Sequence, residues 1–290
     1  MSESKLVSPL PDKHAITWLF VPGDRPERFE KAVMSSADCI ILDLEDAVAA
    51  DAKHEARAAV ADWLDAEGHG WVRINAVATA WHELDLHALT GRTGLAGVMV
   101  PKAERLEDVA AIRRGLPAEV GVIALIETAA GVLAAPSIAA SGDVDRLAFG
   151  SIDYALDISA AEDDESMLLA RSTLVIASRA AGLPGPIDGV TTAAHDDLAA
   201  TAAARRASRM GFAGKLCIHP RQVPGVLSAF LPTQDEIAWA TDVLEAADVR
   251  AAAGESTSAF QWRGAMIDRP LLIRARAILR RTASSGSFTS

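Results

Sequence analysis

Eight short apolar runs, each followed by a stretch of helix-forming residues, constrain this chain more than any other feature. They are WLFVP (18–22), CIILDLE (39–45), WVRIN (71–75), GVMVPK (97–102), VGVIALIE (120–127), RLAFGSID (146–153), GPIDGV (185–190) and GKLCIHP (214–220). Their starts are separated by 21, 32, 26, 23, 26, 39 and 29 residues, a spacing typical of successive βα units. Between them lie Ala-, Leu-, Glu- and Arg-rich segments such as DAKHEARAAVADWLDA and AERLEDVAAIRRGL. Eight such units predict a closed parallel (β/α)8 barrel. An open doubly wound sheet is the alternative. It normally carries a Gly-rich phosphate loop after its first strand, and VPGDRPER is not one.

The pattern changes after residue 230, so the reading is a barrel domain over 1–230 and a C-terminal helical extension, or lid, over 231–290. LPTQDEIAWATDVLEAADVRAAAG opens with Thr233 and Glu236 in capping-box spacing and closes with Gly254. A short extended piece, SAFQWRGAMI, precedes a basic helix, RPLLIRARAILRRTA, and the end, ASSGSFTS, reads as a disordered tail. The net charge of −11 argues against generic binding to nucleic acid or to an anionic membrane. The polar, proline-bearing start MSESKLVSPLPDKH is no signal peptide. No apolar run approaches the ~20 residues of a membrane span. With only two cysteines, Cys39 and Cys217, each in an apolar run and read as a buried free thiol, the expectation is a soluble cytoplasmic protein.

In such a barrel the chemistry gathers at the C-terminal ends of the strands. That rule selects Asp43, Glu45 and Asp46, then Arg73 and Asn75, then Lys102, Glu127, Asp153, Asp188 and His219. Glu127 and Asp153 are 26 residues apart, one βα unit, which places them on neighbouring strands at a separation of about 5 Å. Two carboxylates that close repel unless a cation lies between them, and magnesium suits a site of one or two carboxylates, waters and substrate oxygens. The alternative is that Glu127 pairs with Lys102 while Asp153 caps the next helix. No Cys/His cluster supports zinc. Arg73 either clamps a substrate carboxylate or forms an ion pair with Asp43 or Glu45. Asp43 and Glu45 share one face and read as partners of Arg73, Lys102 or metal-bound water; Asp46 reads as a helix cap. His219 is read as structural or as lining a ligand groove.

Taken together, LFVPGDRPE, ADCIILDLEDAV, VRIN, VPK, LIETAAGV, FGSIDYALDI, GFAGKLCIHPRQV and GAMIDRP resemble the citrate lyase beta-subunit-like branch of the HpcH/HpaI aldolase and malyl-CoA lyase superfamily. The resemblance spans roughly residues 16–275. It implies a TIM barrel, a divalent metal (usually magnesium), and substrates built from a 2-oxo or hydroxy acid and an acyl-CoA or acyl-carrier thioester. It maps metal binding onto Glu127 and Asp153, substrate contact onto Arg73, and an acid/base onto Asp268 of MIDRP, a position that is also a good N-cap. A homo-oligomer, trimer or hexamer, is implied too, with citrate lyase partner subunits as a further possibility. Two departures stand out. Relatives often carry Arg-Ser before the first strand, where the arginine helps bind CoA phosphates, and this chain has Ile16-Thr17; Arg25, Arg28 or Lys31 would substitute. Relatives often read RINP, and here Asn75 is followed by Ala76.

The expected reaction is a reversible Claisen-type cleavage of a 3-hydroxyacyl thioester (citryl-, malyl- or citramalyl-CoA) into a 2-oxo acid and an acyl thioester. Magnesium acts there as Lewis acid, Arg73 steadies the oxygens and Asp268 handles the proton of the enolate carbon. Two rivals stand beside it. One is a metal-dependent 2-oxo-acid aldolase that uses no CoA; such enzymes typically place a histidine base near the second strand, where this chain has acids. The other is a non-catalytic acyl-CoA-binding or accessory lyase subunit.

Overall fold

The computed structural model describes residues 14–285, with side chains described through Arg281. The chain divides into two compact units, Met1–Phe230 and Leu231–Ser290. In the first, eight parallel strands close into a barrel in sequence order, β1 through β8. These are β1 (Thr17–Pro22), β2 (Cys39–Asp43), β3 (Gly70–Arg73), β4 (Leu95–Val100), β5 (Gly121–Ile126), β6 (Arg146–Phe149), β7 (Ile187–Asp188) and β8 (Gly214–Cys217). The first helices are α1 (Phe29–Val33), α2 (Lys53–Asp65), α3 (His82–Leu89), α4 (Leu106–Gly115) and α5 (Ala129–Ala140). After them come α6 (Ser151–Asp157), α7 (Asp164–Ala180), α8 (Asp197–Met210) and α9 (Gln222–Phe230).

Alternation along the strands separates two cores. Trp18, Ile41, Trp71, Met99, Ile123, Leu125, Ala148, Ile187 and Leu216 face inward and fill the barrel. The alternate residues, among them Leu19, Leu42, Val72, Val98, Val122 and Leu147, pack outward against the helices. Trp18 and Trp71 meet edge to face inside the barrel, their ring centroids 5.3 Å apart. Gly97 makes room for this plug, since a Cβ there would lie 2.4 Å from the Trp71 ring. The inward parity continues past the apolar residues to Asp43, Arg73 and Glu127, so the same alternation that builds the core delivers polar side chains to the rim.

Several expectations need correction. The sixth strand stops at Phe149: Gly150 N–H still donates to Ile126 O, and α6 begins at Ser151. Asp153 therefore sits in the first turn of α6, not at a strand end, and no side chain caps that helix. Asp46 caps nothing, because α2 starts only at Lys53, after Ala52. Asp188 points outward into an ion-pair cluster with Arg171 and Lys215, and not into the rim. Cys39 is half-buried, whereas Cys217 is fully buried. Burial pushes the Cys217 thiol up to about 12.

In the second unit, Thr233 and Glu236 form the capping box that opens α10 (Gln234–Ala252). The extended piece proves to be a hairpin, β9 (Ala259–Trp262) and β10 (Ala265–Asp268), paired antiparallel. Its two-residue turn, Arg263-Gly264, has φ of 47° and 79°, the sense of turn that matches strand twist. Helix α11 (Arg269–Ser285) follows, so the first residues of the expected tail are helical. Residues 286–290, like the N-terminal stretch 1–13, lie outside the described residues. Ala240, Val243, Ala247, Phe260, Ile267, Leu272, Ala275 and Ile278 form this unit's own core.

Candidate active site

The rim is organised by Arg73. Its Nε donates to Asp43 Oδ1 at 2.7 Å and its Nη2 to Asp43 Oδ2 at 2.6 Å, a bidentate pair between neighbouring strands. Arg73 Nη1 lies 2.9 Å from Glu45 Oε2 and 3.7 Å from Asp46 Oδ2, and the guanidinium stacks 4.9 Å from the Phe20 ring. Burial alone would favour the neutral arginine; pairing with Asp43, then Glu45, more than reverses this and keeps it charged. The ion-pair alternative for Arg73 is thus realised. It does not exhaust the side chain, because a guanidinium carries five N–H groups and three polar contacts within 3 Å engage it here.

Asp43 holds more than Arg73: its oxygens accept the backbone N–H of Glu45 at 2.9 Å and of Ala47 at 3.1 Å. Glu45 in turn bridges Arg73 and Lys102, whose Nζ lies 2.7 Å from Glu45 Oε1. Lys102 reaches Glu127 in two ways, by its backbone N–H to Oε1 at 2.8 Å and by its Nζ at 4.0 Å. To present that N–H, Lys102 adopts a φ of 48°, a left-handed conformation that costs a non-glycine residue about 1 kcal/mol or more.

Glu127 follows β5 directly, and Thr128 turns the chain at once into α5 by accepting the Gly131 N–H at 3.0 Å. The carboxylate is buried, and its Oε2 takes no hydrogen bond from a described residue. Gly150 clears its space: a Cβ there would lie 2.5 Å from Oε2 and 2.6 Å from the Glu127 Cβ. Burial, then the nearby Glu45 charge, push the Glu127 carboxyl up to about 8, although Arg73 and Lys102 oppose this and Asp153 adds to it. Asp153 is close enough for its charge to be felt and half-buried, and its side chain has no hydrogen bond or ion pair among the described residues.

These contacts leave the rim short of positive charge. Among the described residues, the ion pairs of Asp43, Glu45 and Glu127 are made with Arg73 and Lys102 alone, and Asp153 has none, a deficit that a divalent cation would fill. Among the described residues no three His, Cys, Asp or Glu side chains converge as a ready-made cage. Glu127 and Asp153 accordingly fit an ion that keeps several water or substrate oxygens, as magnesium does, better than zinc.

The other selected residues lie elsewhere or act differently. His219 is half-buried beside β8, its ring 5.1 Å from that of His195, and its Nδ1 accepts the Arg221 N–H at 3.2 Å. Burial, then His195 and Arg221, hold its pKa below the usual histidine range. Arg25 is exposed, 3.9 Å from Asp24. Asp268 ends β10, where its Oδ1 accepts the Leu271 N–H at 3.2 Å and caps α11. Asn75 is turned away from the rim toward Asp85, a buried residue that the strand-end rule cannot reach because it lies on a helix.

The sequence profile of the HpcH/HpaI aldolase/citrate lyase family matches residues 17–220, nearly the whole barrel. The chain belongs to this family. Within it, a citrate lyase subunit beta-like protein of Mycobacterium tuberculosis is 38% identical over 278 residues, covering 93% of this chain and 96% of that one. The mitochondrial citramalyl-CoA lyase of Mus musculus is 33% identical over 288 residues, covering 90% and 84%. A crystal structure of the protein CitE of Mycobacterium tuberculosis in complex with magnesium, acetoacetate and coenzyme A superposes with a TM-score of 0.82. It is 38% identical and covers 93% of this chain and 99% of that one.

Proposed function

We propose that this HpcH/HpaI-family protein is a magnesium-dependent carbon–carbon lyase. Its substrate class is a 3-hydroxyacyl thioester such as citryl-, malyl- or citramalyl-CoA. Cleavage breaks the bond between the hydroxyl-bearing carbon and the carbon next to the thioester. The hydroxyl loses its proton and becomes the ketone of a 2-oxo acid, while the thioester enolate takes up a proton on carbon. The carrying observation is the buried, cation-poor carboxylate of Glu127, cleared by Gly150 and set beside Arg73. Relatives named for citramalyl-CoA cleavage, and one crystallised with magnesium, acetoacetate and coenzyme A, support the substrate class.

Glu127 and Asp153 would hold the metal, which supplies Lewis-acid stabilisation of the oxygen that becomes the ketone. Arg73, fixed by Asp43 and Glu45, turns its remaining N–H groups to the substrate's carboxylate or oxygen. Lys102 keeps Glu45 and Glu127 apart while sharing its charge between them. Asp268 is assigned to the proton of the enolate carbon. Arg25 and His219 are assigned to the CoA end of the substrate.

A homo-oligomer, trimer or hexamer, is part of the proposal, supported by exposed Leu133, Leu156, Leu169 and Ile176 on α5, α6 and α7. The low cysteine count, two in the chain with Cys217 buried, supports a reducing compartment, read as the cytoplasm. No helix among the described residues is long and apolar enough to cross a membrane. Purified protein should release a 2-oxo acid from one of malyl-, citramalyl- or citryl-CoA when magnesium is present and not when it is chelated. Tight CoA binding without cleavage of any of the three overturns the lyase in favour of a binding protein. Release of a 2-oxo acid only from free hydroxy acids overturns the thioester.

A further inference from the structure

Behind the rim lies a second polar layer, buried between β2, β3, α2 and α3. Asp85 of α3 is fully buried, and its Oδ1 accepts Arg57 Nε from α2 at 2.7 Å. Its Oδ2 accepts both the backbone N–H of Asn75 at 2.8 Å and the Asn75 side-chain amide at 2.6 Å. The same Asn75 amide donates to the Leu44 carbonyl at 2.9 Å. Lys53, one helical turn before Arg57 and likewise buried, donates from Nζ to the carbonyls of Leu44 at 2.7 Å and Glu45 at 2.9 Å. His82 Nδ1 meets the Asn75 carbonyl at 2.9 Å, so that nitrogen is the donor.

Most of these contacts involve backbone at, or within two residues of, a rim side chain. Leu44 sits between Asp43 and Glu45, the two acids that hold Arg73. Asn75 lies two residues beyond Arg73 itself. Buried charge of this kind is poor stabilisation: well-packed apolar residues commonly serve as well or better. Its distinctive property is directional, since the Lys53, Arg57, Asn75 and His82 donors and the Asp85 carboxylate fix the β2 and β3 ends relative to each other. We infer that Lys53, directly, and Asp85, through Asn75, are positioning residues that set the Asp43–Glu45 segment against Arg73, so that the guanidinium N–H groups not bound to them keep one aim. The consequence for turnover rests on the lyase reading; the consequence for Arg73 itself does not.

The test uses Lys53→Met, which keeps the aliphatic stem and removes the donor, beside Lys53→Arg, which restores donors to the same carbonyls. Two readouts are needed. One is the Arg73 Nε–H nuclear magnetic resonance signal, assigned with Arg73→Lys, which reports the bond to Asp43. The other is the kcat and KM for whichever thioester the wild type cleaves. Lys53→Met should shift or broaden the Arg73 signal and lower kcat by the order of 10- to 100-fold typical of residues that orient site groups, with KM little changed. Lys53→Arg should restore most of both. Folded Lys53→Met with the wild-type Arg73 signal and kcat overturns the inference. If Lys53→Met does not fold, Asn75→Ala, which cuts the link from Asp85 to Leu44, is judged by the same two readouts. A wild type that cleaves no thioester would sink the lyase reading, and the Arg73 signal would then decide the positioning role alone.

Discussion

Asp188 and Glu127 are both acids at strand ends of one barrel, and both are buried, at 0% and 1% exposure. Loss of water therefore penalises the two charges alike, and their different fates come from their partners. Asp188, facing outward, has Arg171 Nε at 3.0 Å and Lys215 Nζ at 3.3 Å, and Lys215 also donates to the Gly189 carbonyl. Burial raises its pKa, but Lys215 and then Arg171 outweigh this and hold it below the usual range. Glu127, facing inward, has among the described residues no cation closer than Lys102 at 4.0 Å and has Glu45 and Asp153 as further acids, and it is pushed up to about 8. The Asp188 cluster is complete in itself; the rim is complete only with something else bound. That contrast separates a structural charge from a functional one more sharply than burial does.

Neutralising each acid without changing its shape should break the two clusters differently. Glu127→Gln should remove metal-dependent lyase activity by about 10^3-fold, the equivalent of several kcal/mol of transition-state stabilisation. Its melting temperature should be unchanged or higher, because Gln still accepts the Lys102 N–H and the poorly compensated charge is gone. Wild-type turnover with magnesium bound at full stoichiometry would refute the assignment. Asp188→Asn should do the reverse. It strands Arg171 and Lys215, at a cost of about 3–5 kcal/mol in denaturant unfolding, while each folded molecule keeps its kcat. A stability loss close to zero would show that the two clusters are not the opposites described above.

Much of this contrast is legible in the amino-acid sequence. Strand spacing locates the barrel, and the rule that chemistry gathers at strand ends finds Glu127, Arg73, Asp43, Glu45 and Lys102. The same rule puts Asp188 in the rim wrongly, because a strand of two residues, Ile187 and Asp188, offers no alternation from which to read its facing. Asp153 reads as part of a strand because SID continues an apolar run, whereas Gly150 ends that run and local hydrogen bonding starts a helix. Asp85 leaves only a faint trace: with His82 and Leu89 it occupies the buried face of α3, where an acid has no place unless something pairs with it. Lys53 leaves none, since a lysine in the first turn of an amphipathic helix is ordinarily solvated. Pairings between distant segments are the part that spacing cannot supply.

Gly150 offers a finer way to sharpen the comparison, because it alters the position of Glu127 and not its charge. Its φ of −97° suits any residue, so an added methyl acts through space alone. In Gly150→Ala the Cβ would meet Glu127 Oε2 at 2.5 Å and the Glu127 Cβ at 2.6 Å, and one of them must move. Overpacking of this kind costs about 1–3 kcal/mol, and a displacement near 1 Å lowers turnover by about 10^2-fold. Magnesium affinity measured by calorimetry should weaken in parallel. Unaltered affinity and kcat would mean that the carboxylate does not need the place in which it is found.

The smallest expected effect concerns pH and isolates the Asp188 cluster from the rim. A carboxyl whose pKa is depressed on folding contributes stability that is fully present above its unfolded pKa of about 3.9 and is lost as pH falls toward the folded value. Asp188→Asn cannot titrate, so the stability gap between wild type and variant should be constant from neutral pH down to about pH 4. Below that the gap should close, by at most about 1.4 kcal/mol per pH unit. Glu127 cannot mimic this slope: its raised pKa keeps it protonated throughout that acid range in the metal-free protein, and its titration is common to wild type and variant. Paired urea titrations between pH 7 and pH 3 in the presence of a chelator would measure the gap. A gap that stays flat below pH 4 would mean that Lys215 and Arg171 do not depress Asp188, and the distinction between a satisfied and an unsatisfied carboxylate would fall with it.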